Sequence, residues 1–295
     1  MLKNERGGLI LALAGFAVLS CGDALVKTMA GAWSPLAVAA LRFTIGAIGL
    51  SVILGVRQGR RAFRPQSPWL QAGRGLCLAI ATMCFFGAIF VMPLAEATAL
   101  VFLAPIITAL LSGPLLKEKV RPATWTASVI AFAGVVVVLR PNLSELGPVA
   151  LLPLGSAMAF SLMMLANRAV AGQGSALSMQ VFVALGAAPI LILCAILGDF
   201  SGAERLAVSW PDWTVAVRCA IVAVTASTAH WLVYLGTTRA GAATIAPMTY
   251  VQLLVAVTLG WAVFGDRPDA MTMAGSAVII AAGLYLWSAG REKIS

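Results

Sequence analysis

Charge is scarce in this 295-residue chain: 11% of residues are charged and 61% are hydrophobic, where a soluble domain carries roughly 25% charge. A water-soluble fold is therefore not expected. Acidic residues number 11 and there is one histidine, His230. A membrane-embedded enzyme normally needs clustered His, Asp or Glu near an interface to activate a nucleophile or bind metal. No catalytic centre, metal site or cofactor is expected here. No GxxxxGK[ST] stretch occurs, which argues against ATP hydrolysis by this chain. Cys21, Cys77, Cys84, Cys194 and Cys219 lack the short paired spacings of metal sites and redox dithiols. They read as inert packing residues.

What the chain has instead is apolar runs from end to end, each close to the roughly 20 residues a helix needs to cross hydrocarbon. Breaking these at Gly, Pro and charge predicts helices over 9–28, 36–56, 69–92, 95–116, 123–139, 149–169, 176–197, 213–236, 241–264 and 271–287. The opening MLKNERGGLILALAGF places charge before an apolar run, like a signal peptide. That run continues past Ser20 without an Ala-x-Ala-like cleavage site, so it reads as a retained first helix.

The net charge of +9 does not point to nucleic acid, because the Lys and Arg residues sit in short clusters between apolar runs, where they orient helices. With an even number of helices, RQGRRAFR, KEKVR and both termini share one side, leaving Lys27, Arg140, Arg205 and Arg267 near the other. Both termini are thus expected to be cytoplasmic. Arg42, Arg74 and Arg218 fall inside helices.

The stretch from Pro93 has a counterpart from Gly241, and a shift of 148 aligns Glu118 with Asp266, Thr124 with Thr272 and Ser128 with Ser276. Each half, 1–141 and 142–295, then holds five helices. Five is odd, so the second copy enters the membrane from the opposite side. The fold expected is an all-α membrane protein of ten transmembrane helices in two inverted five-helix repeats, an architecture that can open one central site to each side in turn.

SPLAVAALRF entering helix 2, AEATALVFLAP opening helix 4, Glu118 at its end and AFAGVVVVLRP in helix 5 together resemble the drug/metabolite transporter superfamily, in its EamA-type branch, and within it the bacterial inner-membrane amino-acid exporters. The resemblance covers nearly the whole chain. It implies a central cavity and movement of amino acids or related metabolites, commonly outward, across the inner membrane. The alternatives are a carrier of a nucleoside, vitamin or drug-like cation, and a lipid translocase. The expected partners are a small-molecule substrate and the bilayer, with the chain acting as a monomer.

Intramembrane polar groups face protein or a wet cavity, so they mark the candidate path. On helix 1, Phe16, Ser20, Asp23 and Lys27 share one face, and helix 6 repeats the spacing as Ser156, Phe160, Met163 and Asn167. Both stripes are expected to line the cavity, unless Asp23 and Lys27 merely neutralise each other. Phe86 on helix 3 joins them. Helix 8 presents Ser227, His230 and Tyr234 with Trp231 at the edge. His230 titrates near neutral pH and could couple protons; a hydrogen-bonded packing histidine is the plainer reading.

Helix 9 offers Pro247, Tyr250 and Gln252. Pro247 and Pro105 are expected kinks that either expose a carbonyl to substrate or only shape packing, at different depths because Leu253 stands opposite Pro105 in the alignment. Glu96 reads as a helix-terminal charge more than as a contact for cationic substrates, and Gly134 and Gly283 as small-residue sites for packing in the bundle or for a dimer face. Glu118 and Asp266 are expected to pair with Lys117, Lys119 and Arg267 at helix ends.

Overall fold

The computed structural model describes residues 2–116, 122–170, 172–240 and 246–291. No strand occurs among them. The helices are α1 (Leu2–Lys27), α2 (Pro35–Gln58), α3 (Pro68–Ile89), α4 (Leu94–Val101), α5 (Ala104–Leu116), α6 (Pro122–Leu146), α7 (Leu152–Ala169), α8 (Ala176–Phe200), α9 (Trp213–Ala240), α10 (Val251–Phe264) and α11 (Ala270–Arg291). A short 3₁₀ segment, Ala246–Tyr250, leads into α10. Glu118 and its basic neighbours, residues 241–245 of the predicted ninth helix and the side chain of Pro247 lie outside the described residues.

Among the described residues, eight spans are long and apolar enough to cross a membrane, and Met248–Phe264 and Ala270–Tyr285 are shorter apolar helices. The surface is the inverse of a soluble protein's. On α6, Val129, Phe132 and Val136 recur along one helical face and are 72%, 67% and 52% exposed, a periphery suited to lipid rather than water. The interior is rich in Ala, interleaved with Val and larger side chains such as Phe86, Met29 and Leu100.

The predicted helix over 95–116 is two helices. Pro105 has no N–H to donate and its ring crowds the preceding turn, so α4 ends at Val101 and α5 begins at Ala104. Tight backbone bonds carry the chain across: the Leu103 N–H donates to the Leu100 carbonyl at 3.2 Å and that of Ile106 to Leu103 at 3.0 Å. Pro247 sits likewise in the 3₁₀ turn before α10. The two interruptions meet, because the Phe102 and Tyr250 rings pack edge-on with centroids 5.4 Å apart.

Glycines set which helices touch. A Cβ on Gly15 of α1 would stand 2.8 Å from the Ala229 carbonyl oxygen of α9, and one on Gly236 of α9 would stand 2.8 Å from the Gly8 carbonyl oxygen of α1. Gly134 of α6 and Gly275 of α11 form a second seam, and Gly75 of α3 and Gly186 of α8 a third, backbone on backbone. Without hydrophobic drive between helices in lipid, such close approach is what holds them. The resulting neighbours are α1 with α9 and α10, α3 with α7 and α8, α2 with α8 and α9, α5 with α7, α6 with α11, and α4 with α10.

Candidate functional site

Two polar residues of the face predicted on α1, Ser20 and Lys27, find their partners in distant sequence. The Ser20 hydroxyl donates to the Gln252 carbonyl at 3.0 Å. Lys27 Nζ pairs with Asp266 Oδ2 at 2.6 Å, donates to the Met92 carbonyl at 3.1 Å, and lies 4.9 Å from the centre of the Phe264 ring. Its carboxylate is thus Asp266, not Asp23 one turn earlier, and the carboxylate of Asp266 goes to Lys27 rather than to Arg267. Gly265, at φ 70°, ends α10 in the left-handed region that glycine adopts without strain. The turn delivers the Asp266 carboxylate to Lys27.

Around that pair the same end of the bundle is tied repeatedly. The Thr272 hydroxyl donates to Glu96 Oε1 at 3.3 Å, and Arg218 Nη1 donates to the Thr28 carbonyl at 3.2 Å. Asp269 accepts the Thr272 N–H at 2.6 Å, capping α11. This backbone bond holds the Asp269 carboxyl below its ordinary range, and the Thr214 N–H does the same for Asp212 at the head of α9.

Deeper in the bundle stands a charge that the sequence reading passed over. Arg42 of α2 places its guanidinium carbon 4.7 Å from the Phe43 ring centre and 5.3 Å from that of Phe86, cation–π contacts that partly replace lost hydration. The α2 helix that carries Arg42 packs against α9, the helix of His230. Asp23 and Arg42 make no direct ion pair within 4.0 Å, and neither makes a hydrogen bond among the described residues. The signal was available: an arginine inside a 21-residue apolar run is costly in hydrocarbon and marks a functional position by default.

His230 bonds the Ala226 carbonyl one turn back at 2.7 Å. Its side chain is exposed. Phe86 is 2% exposed. Arg42 and Phe86 thus meet across α2 and α3, and α9, the helix of His230, packs against both α1 and α2.

Other predicted residues lie elsewhere. Asn167 Oδ1 accepts from Arg74 Nε at 2.5 Å, in a buried cluster with Gln71 and Met179. Arg74 thus finds amide and thioether partners near the end of the bundle opposite Lys27. Met163 is buried, and the Ser156 hydroxyl donates to the Ala81 carbonyl. Trp231 recurs with Val217 and Val224 at intervals of seven on α9, and all three are exposed, so its indole is on the periphery. Tyr234 is exposed. Tyr250 reaches toward Gly283, where a Cβ would collide with its hydroxyl. Gln252 is half-buried.

The chain is similar to an S-adenosylmethionine uptake transporter of Rickettsia prowazekii, 23% identical over 100% of this chain and 97% of the relative. It is 26% identical to a riboflavin transporter of Rhizobium johnstonii over 78% and 74%. It is 27% identical to the pseudopaline exporter CntI of Pseudomonas aeruginosa over 97% and 98%. A solved crystal structure shares the fold, with a TM-score of 0.65 at 23% identity, covering 98% of this chain and 99% of that one. The EamA-like transporter family matches residues 6–140 and again 147–288, and the chain belongs to that family.

Proposed function

We propose that the chain is a secondary carrier of small metabolites, amino acids foremost and outward, working as a monomer in the bacterial inner membrane with both termini cytoplasmic. The observation that carries this reading is an arginine inside the bundle, Arg42, set against the Phe43 ring and the buried Phe86 ring, with the end of the bundle tied by Lys27 and Asp266. Charged groups so placed serve a path. The Lys27–Asp266 pair acts as its outer gate, and Pro105 and Pro247 mark the broken helices that change shape around it.

Ten crossings in two inverted halves, 1–141 and 142–295, complete the proposal. The ninth and tenth are the shorter apolar helices Met248–Phe264 and Ala270–Tyr285. Support comes from the family's matching twice and from the packing. Exchanging counterparts turns the α1–α9 contact into α7–α3, and α1–α10 into α7–α5. The offset of 148 also carries Phe102 onto Tyr250, and these rings touch, as counterparts on a two-fold axis do.

Relatives named as S-adenosylmethionine and riboflavin transporters favour a second reading, a carrier of another solute class such as a nucleoside, vitamin or drug-like cation. Counterflow of a radiolabelled amino-acid panel in proteoliposomes, with and without an imposed proton gradient, separates the two. Saturable exchange is the expected result. Absence of exchange by folded protein across neutral, cationic and aromatic amino acids moves the assignment to the second reading.

A further inference from the structure

α2 packs against α8, and the seam between them is grooved on the outside of the bundle. Two adjoining pockets of about 460 and 450 Å³ lie along it and share Thr44 and Ile192. In the pocket that runs from Thr44 to Val52, the buried Ala47 and Ala188 form the floor, and the exposed Ile48, Val52 and Leu185 form the rim. That stretch of helix is about 12 Å long, close to the roughly 15 Å of hydrocarbon in one leaflet. Its length suits the tail of a single lipid. Ser51 lines the same stretch, and its hydroxyl oxygen is buried without a protein partner.

The groove ends at a concentration of positive charge. Gly59, at φ 74°, closes α2, and the 3₁₀ turn Arg60–Phe63 folds back against both α2 and α8. The Phe63 ring reaches Gly55, 3.8 Å from where a Cβ would stand. At the head of α8, the Ser175 hydroxyl donates to Gln58 Oε1 at 2.8 Å. These contacts hold Arg57, Arg60, Arg61 and Arg64 at the mouth of the groove, all of them exposed. None has an ion pair among the described residues, and the sequence has no acidic residue between Asp23 and Glu96. This stretch of chain supplies no counter-charge of its own.

We propose that the α2–α8 groove binds one anionic phospholipid, its tail along Thr44 to Val52 and its phosphate on the arginine cluster. Guanidinium groups grip phosphate oxygens through paired bonds, and clustered arginines at a membrane surface attract anionic lipids. Ser51 lies about 9 Å deeper along the helix than Arg57, at the level of the ester carbonyls below the phosphate, which can accept its hydroxyl. A second copy of the chain suits the groove less well. Paired about a two-fold axis along the membrane normal, it sets one arginine cluster against the other, like charge on like. α2 and α8 belong to the two separately matched halves of the chain, so the lipid bridges them and stabilises the folded protein by mass action.

Native mass spectrometry of the full chain in detergent, titrated with phosphatidylglycerol or with phosphatidylcholine of the same tails, tests this. One phosphatidylglycerol should be retained about tenfold or more tightly than phosphatidylcholine, and the former alone should raise the thermal midpoint. Arg60→Gln with Arg61→Gln should weaken phosphatidylglycerol about fivefold for each arginine removed. Arg6→Gln with Arg239→Gln, the same change of charge on α1 and α9, should leave it unchanged. Thr44→Leu fills the groove and breaks only a bond within α2, and should weaken phosphatidylglycerol with every arginine in place. Equal retention of the two lipids by wild type overturns the proposal even if no variant folds. A preference that depends on Arg6 and Arg239 as much as on Arg60 and Arg61 overturns it as well, and self-association that Thr44→Leu abolishes assigns the groove to a second copy instead.

Discussion

Lys27 and Asp266, 239 positions apart in the chain, meet at 2.6 Å with side chains 13% and 26% exposed. The pair joins the end of α1 to the turn after α10 and so ties the two predicted halves at one end of the bundle. Lys27→Met is expected to leave a folded protein and to reduce exchange at least tenfold, since the end can no longer close in register. Reversing the pair with Lys27→Asp and Asp266→Lys should recover part of that loss relative to either single change. Unaltered exchange in Lys27→Met, measured at equal protein density, removes the gating role.

The opposite end offers a different kind of tie. Arg74 is 6% exposed and bonds Asn167 and Gln71. Asn167→Ala deletes an acceptor without supplying another, leaving a buried donor short of a partner at a cost of about 1–3 kcal/mol. A lowered thermal midpoint in detergent is the expected readout, while Asn167→Asp, which keeps an acceptor and adds charge complementarity, should be tolerated better.

Glycines at the seams and glycines on the outside should respond oppositely to the same added methyl. Gly15→Ala puts a carbon within 2.8 Å of backbone in α9, whereas Gly46→Ala meets nothing within 4 Å. Overpacking typically costs about 1–3 kcal/mol, while alanine in open space is preferred over glycine in a helix by about 1 kcal/mol. Melting curves should therefore fall for the first and hold or rise for the second. Equal behaviour of the two contradicts the α1–α9 seam.

Acid sensitivity at the helix heads follows from Asp212 and Asp269. Both carboxyls sit below their ordinary range because a backbone N–H bonds the ionised form. A depressed folded value means the capping contribution is complete above the unfolded value and is lost as pH falls through the folded one. The melting temperature should accordingly decline below about pH 4, and replacing both residues by Asn, which caps without titrating, should flatten that decline.

Run length made most of the architecture legible beforehand. The predicted 36–56 and 176–197 became Pro35–Gln58 and Ala176–Phe200, since hydropathy and Ser-Pro or Ser punctuation suffice to bound a span. The 95–116 run concealed a break, because hydropathy does not register where the ladder stops; only Pro105 signalled it. Pairing was less legible for a physical reason. Short-range rules assign Lys27 to Asp23 and Asp266 to Arg267, but the packing of α1 against α10 decides the true partner. The place of Arg42 is not legible in sequence because Phe86 of α3, the ring it meets, comes near only in three dimensions. Trp231 shows the converse. An aromatic next to His230 along the chain points about 100° away around the helix, toward the outside with Val224.

The glycine seam between α1 and α9 also has a consequence in time. Gly15 and Ala229 lie in close contact, yet Ala229 is synthesised 214 residues later, which at about 5–20 residues per second is roughly 10–40 s. Throughout that interval α1 resides in the bilayer with its glycine groove facing lipid and Asp23 beside it, awaiting its partner. Biogenesis therefore exposes the helix that carries an intramembrane carboxylate first and longest, and the nascent chain's most vulnerable period ends only when α9 has been inserted.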